Sequence, residues 1–261
     1  MLLPSDDVGP GSAVVLLHAG VADRTMWAEH LGPIADAGYR AVAMDLPEFG
    51  EAIPGRELDP WSDVLQTMDA LGIDRAALVG NSFGGAVALG VAVAAPERVA
   101  ALVLVSAPPP GLEPSSELQA AWKAEESALQ RGDIDAAVRA VVDAWTLADA
   151  PAPLRDRVTK MQRRAFELQA ATRPLSEAQD PVEADPAALG ELEVPALVAA
   201  GEHDMPDFRL GAEALAHQLP QARHVVIAKA GHLAPLEQPA RFRDLLLGFL
   251  HKSAAFEDTT R

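Results

Sequence analysis

Short apolar runs alternate along this chain with longer stretches whose apolar residues return every three or four positions. The runs fall at residues 13–17, 41–44, 76–79, 99–105, 196–200 and 225–227. Aliphatic side chains fill both alternating sets in each run, the pattern of parallel strands buried on two faces. The periodic stretches at 26–37, 61–71, 83–94, 209–218 and 235–251 predict helices. Pro60 stands where a first-turn proline is tolerated, and Gly72 can close the helix before it. Strand and helix in strict alternation predict the α/β class: one open, mostly parallel sheet with right-handed crossovers and flanking helices.

One segment breaks the alternation. Between 111 and 189 only helical patterns occur, at 117–131, 134–147 and 154–171, before a loop rich in Pro, Asp and Glu. Following the fourth predicted strand, it predicts a helical cap over the sheet's C-terminal edge, where open α/β sheets place ligands. Residues 1–110 and 190–261 would then form the core domain. Trp122, Trp145, Met161 and Phe166 are the cap's candidate substrate-binding residues. Residues 253–261 read as a frayed tail.

Composition narrows the partners. The chain has 261 residues, 49% hydrophobic and 23% charged, an ordinary globular balance able to bury a core without staples. It has no cysteine, which excludes disulfides, thiolate metal sites and a cysteine nucleophile, and fits a reducing compartment. Its 38 acidic against 21 basic residues give a net charge of −17. Such a surface repels phosphate backbones and anionic membranes, so neither nucleic acid nor membrane is an expected partner; a small molecule is. The first residues carry Asp6 and Asp7 where a secretory signal needs an apolar core, and no run reaches the roughly 20 apolar residues of a membrane span. A soluble cytoplasmic protein is predicted.

The chemistry starts at Gly80-Asn81-Ser82-Phe83-Gly84-Gly85, a G-x-S-x-G pattern between a predicted strand and a predicted helix. A sharp strand-to-helix turn lifts the Ser82 hydroxyl above the sheet, and side chains at 80 or 84 would collide with nearby backbone. A serine hydroxyl needs a base to become a nucleophile. His232 follows the last strand in Gly231-His232, in a loop feeding the final helix. His30, His217 and His251 lie on helices among polar neighbours and read as surface residues, and His224 reads as structural. His203 adjoins the candidate acid too closely to face it. That acid is Asp204, in Gly201-Glu202-His203-Asp204, with Asp207 as fallback. Its task is to hold the imidazole's tautomer. The backbone amides of Gly20 and Phe83 are the candidate oxyanion donors, while His18 would only brace its loop. The chain order Ser, Asp, His, each after a strand, agrees with these roles.

With those residues in place, the chain resembles the α/β-hydrolase superfamily. The likeness is to a small cap-bearing branch of esterases, enol-lactonases, cofactor-free haloperoxidase-like enzymes and carbon–carbon bond hydrolases. His18-Ala19-Gly20 with Trp27 looks like that branch's HG…W segment, and Asp45-Leu46-Pro47-Glu48-Phe49-Gly50 its DLPGFG loop. The resemblance implies the Ser82–Asp204–His232 triad, the oxyanion hole, the lid and no cofactor. Ala19 and Glu48 stand where the branch has glycine, and only a dozen residues precede the first run, too few for the usual leading antiparallel hairpin. The expected reaction is hydrolysis of a small ester or lactone through an acyl-enzyme. One alternative is carbon–carbon hydrolysis of a vinylogous diketone, with Arg163 and Arg164 as candidate carboxylate binders. Another is a ligand receptor with slow turnover on the same fold.

Overall fold

A computed structural model of the chain describes residues 1–53, 55, 57–171 and 176–253. Its strands, in chain order, are β1 (Ser5–Val8), β2 (Ala13–Leu17), β3 (Arg40–Met44), β4 (Glu57–Leu58), β5 (Ala76–Asn81), β6 (Val99–Val105), β7 (Ser176–Glu177), β8 (Ala196–Gly201) and β9 (Ala222–Ile227). The helices are α1 (Ala28–Asp36), α2 (Pro60–Ala70), α3 (Phe83–Ala94), α4 (Ser116–Gln130), α5 (Ile134–Trp145), α6 (Ala152–Ala171), α7 (Pro181–Ala184), α8 (Pro206–Gln218), α9 (Ala234–Glu237) and α10 (Pro239–Leu250).

Seven strands form the main sheet in the order β1-β3-β2-β5-β6-β8-β9, parallel except for β1. Successive side chains point to opposite faces, so each strand feeds two cores. Val14, Leu16, Ala41, Ala43, Val79 and Val103 pack with Ile34 of α1 and Phe242 and Leu246 of α10. Val15, Leu17, Val42, Met44, Leu78 and Leu102 pack with Val64 of α2, Val87 and Val91 of α3 and Leu215 of α8. A mostly parallel sheet sandwiched by helices is the result. Among the described residues no helix is long and apolar enough to cross a membrane.

Several boundaries differ from expectation. Residues Ser5–Val8, where no strand was expected, form the antiparallel edge strand β1. Its Asp6 and Asp7 hid it from an apolar pattern; they meet Arg24 and Arg40 in ion pairs at 3.2 and 2.7 Å. The last strand, β9, is not buried on both faces: it is the opposite edge, and Val226 is 51% exposed. The expected helix 235–251 is two helices, because Pro239 donates no backbone hydrogen bond and forces Gln238 out of helical geometry, to φ −132° and ψ 58°. The segment between β6 and β8 is helical as expected but also carries β7, whose two residues pair with β4 and are too few to show a period. Ser253 is part of the body, buried with its hydroxyl donating to the Phe249 carbonyl at 3.0 Å; the rest of the expected tail lies outside the described residues.

Candidate functional site

Ser82 sits between β5 and α3 with φ 53° and ψ −116°, a backbone conformation that costs a side-chain-bearing residue about 1–3 kcal/mol. The surroundings enforce it. A Cβ on Gly80 would lie 2.2 Å from the Gly84 carbonyl oxygen, and one on Gly84 2.3 Å from the Leu17 carbonyl oxygen. The Ser82 amide donates to the Val105 carbonyl at 2.8 Å, tying the turn to the neighbouring strand. Ser82 is thus held at the sheet's C-terminal edge by backbone packing that admits only glycine on either side.

Two further loops converge on it. After β8, Asp204 is buried and its carboxylate accepts from His232 Nδ1 at 3.0 and 3.2 Å and from the Met205 amide at 2.8 Å. The loops touch directly, since a Cβ on Gly201 would lie 2.1 Å from the Gly231 carbonyl oxygen. The Asn81 side-chain amide, one residue before Ser82, donates to the His232 carbonyl at 3.1 Å. The His232 ring lies between Trp145 and Phe208, with centroids 4.5 and 4.4 Å away. With Nδ1 donating to Asp204, Nε2 is left as the ring's basic nitrogen. Ser82 and His232 line one cavity of about 520 Å³. No hydrogen bond joins them among the described residues, and such contacts often tighten only around substrate.

The rival residues are engaged elsewhere. His203 is exposed, 3.8 Å from Glu202. Asp207 accepts from the Ser115 amide and hydroxyl, each at 2.7 Å. His18 is fully buried; its Nδ1 donates to the Ala19 carbonyl at 2.8 Å and its Nε2 accepts from the Leu46 amide at 2.9 Å, so it braces the loop, and burial lowers its pKa. His217, His224 and His251 are exposed. His30 is not the surface residue its polar neighbours suggested. Its ring packs against Trp27 and Phe242 at 5.7 and 5.1 Å, with Nε2 donating to the Pro235 carbonyl at 3.0 Å, and burial pushes its pKa down to about 4. Glu29 flags solvent in the sequence only for its own side chain; one position on, the His30 face of the helix is apolar.

Gly20 and Phe83 both line the cavity, and a Cβ on Gly20 would sit 3.4 Å from Phe83 Cβ. The Phe83 amide belongs to the first turn of α3, where amides lack intrahelical partners and carry the helix's positive end. Glu48 takes φ 74°, in the left-handed region that glycine favours at that loop position.

Of the four aromatic and thioether candidates, Trp122 and Trp145 line the cavity. Met161 and Phe166 do not: both are buried in the apolar core, Met161 with its sulfur 3.6 Å from the Thr25 hydroxyl. The cavity wall contains instead Leu89, Pro109, Glu125, Gln162 and Phe208. Spacing carries a signal for Glu125, three residues after Trp122 on α4 and so on the same face. For Gln162, beside Met161 on α6, the sequence holds none. Arg163 is paired with Asp135, and Arg164 donates from Nε to the Gly50 carbonyl at 3.2 Å; neither lines the cavity.

A sheet of this topology with a serine elbow and a carboxylate-held histidine defines a class of fold, and similarity to known proteins places the chain within it. A family model for the alpha/beta hydrolase fold matches residues 12–239. The chain belongs to the α/β-hydrolase fold family. A 2-hydroxy-6-oxo-6-phenylhexa-2,4-dienoate hydrolase of Comamonas testosteroni is 40% identical over 112 residues, spanning 40% of this chain but only 39% of that protein. A 2-hydroxy-6-oxononadienedioate/2-hydroxy-6-oxononatrienedioate hydrolase of Paraburkholderia phymatum is 30% identical over 263 positions, covering 94% of this chain and 89% of that one. A thermophilic esterase from Thermogutta terrifontis superposes with a TM-score of 0.75 at 28% identity, covering 96% of this chain and 93% of the other.

Proposed function

We propose that this protein hydrolyses a small ester or lactone with an apolar part, through an acyl-enzyme on Ser82. Ser82 Oγ attacks the carbonyl carbon while His232 Nε2 takes its proton, and Asp204 stabilises the imidazolium. The Gly20 and Phe83 amides hold the oxyanion. Collapse expels the alcohol, which leaves with the proton from His232. Water then adds to the acyl carbon by the same route, releasing the acid and restoring Ser82. Residues 111–189 act as a cap whose Trp122 and Trp145 contact substrate, above a core of 1–110 and 190–261. The cysteine-free, acidic composition supports a cytoplasmic setting.

The single observation carrying this reading is the buried Asp204–His232 pair beside a serine in strained backbone on one cavity wall. Ser82→Ala is expected to cut p-nitrophenyl acetate hydrolysis at least about 10³-fold while circular dichroism and Tm stay unchanged. Activity within tenfold of wild type rejects the assignment.

The names of the sequence relatives favour a second reading, carbon–carbon hydrolysis of a dienoate with the same three residues. Against it, the arginines expected to hold a carboxylate are committed elsewhere. Turnover of a ring-fission dienoate faster than that of short acyl esters would decide for it.

A further inference from the structure

Among the described residues, charge on the cavity wall is one-sided. Glu125, Asp180 and Glu183 line it, while no lysine or arginine does so among the described residues. Asp180 is occupied in capping α7, accepting from the Val182 amide at 2.7 Å. Glu125 differs: it is half-buried, burial raises its carboxyl pKa, and it has no hydrogen-bond or ion-pair partner among the described residues. Gln162 also lines the cavity and is only 3% exposed. Trp122, one helical turn before Glu125 on the same wall, offers an aromatic face, which attracts cations. The net charge of −17 adds a field that draws cations and repels anions.

We infer that this cavity selects acyl compounds carrying a protonated amine, with Glu125 as counter-charge and Trp122 as aromatic wall, and that it rejects carboxylate-bearing ones. The inference rests on the ester-hydrolase reading above and adds the chemistry of the substrate's remote end. It also separates this chain from relatives whose names specify dienoates, which carry a carboxylate.

Three esters of matched length test it at pH 7: p-nitrophenyl 6-ammoniohexanoate, p-nitrophenyl hexanoate and mono-p-nitrophenyl adipate. Wild type is expected to favour the ammonium ester over the adipate by at least 100-fold in kcat/KM. Glu125→Gln should reduce that ratio at least tenfold. Equal use of the two charged esters, or a ratio within twofold of wild type in Glu125→Gln, overturns the inference while leaving ester hydrolysis standing. Binding of hexylammonium and hexanoate to Ser82→Ala, followed by tryptophan fluorescence, needs no turnover. Hexylammonium binding at least tenfold tighter supports the inference even if no ester is hydrolysed, a result that would sink the hydrolase reading alone; equal binding, or tighter hexanoate, overturns it.

Discussion

The floor and the roof of the cavity are built on different terms. The floor is backbone against backbone: Gly80 against Gly84, Gly84 against Leu17, Gly201 against Gly231, none with room for a methyl group. The roof is side chains on helices α4 to α6, with Trp122 46% exposed and Glu125 and Gln162 lacking protein partners for their acceptor oxygens among the described residues. Rigid contact restricts where the Ser82 hydroxyl, the His232 imidazole and the Asp204 carboxylate can stand, as the proposed reaction requires. Side chains on a helix can be exchanged without moving that constellation. In the proposed mechanism, chemistry and selectivity would thus be lodged in parts of the chain with different tolerance for change.

The largest effect expected is at the floor. Asp204→Asn keeps the shape but lets the His232 ring settle in the wrong tautomer, and kcat should drop by about 10⁴-fold on a neutral ester. A loss under tenfold would mean that the Asp204 contact merely packs the loop. Next comes His30, which braces the floor from below through Pro235. Its folded pKa of about 4 lies under the ordinary 6.5, so the unfolded chain binds the extra proton first as pH falls. Its stabilising share is complete above pH 6.5 and drains away between 6.5 and 4, about 3 kcal/mol in all. Urea unfolding at pH 7 and 4.5 should show wild type losing about 2 kcal/mol more than His30→Gln; equal losses would show that the ring is hydrated. The smallest effect belongs to the roof. Trp122→Ala should raise KM for p-nitrophenyl butyrate by about two- to fivefold with kcat steady, the value of part of one exposed ring. A hundredfold fall in kcat/KM would erase the distinction between floor and roof.

The same difference explains what the sequence disclosed. Ser82, Asp204 and His232 were legible because each follows a strand, and because the glycines around them mark backbone contacts that no other residue permits. The parallel strands were legible for the same reason that they are buried. Helical periodicity located α4, α5 and α6 to within two residues, yet it could not say which apolar positions face a cavity and which face the core. Met161 and Phe166 satisfy the periodicity as well as Trp145 does, and they turned inward. Gln162 has no spacing signal at all. β1 escaped because its polar residues are neutralised by arginines 18 and 33 positions away, which only folding brings near.

Glu237 ties the two regions with one carboxylate. Its oxygens accept from the Gly231 amide at 2.6 Å, next to His232, and from the Leu147 amide at 3.1 Å, just beyond α5. A single side chain thereby sets the spacing between the imidazole's loop and the helix that carries Trp145. If α5 tilts as an occupant enters, either the imidazole follows or one of these bonds breaks, at a cost of about 1 kcal/mol. Glu237 thus joins the helix carrying Trp145 to the loop carrying His232 through one carboxylate.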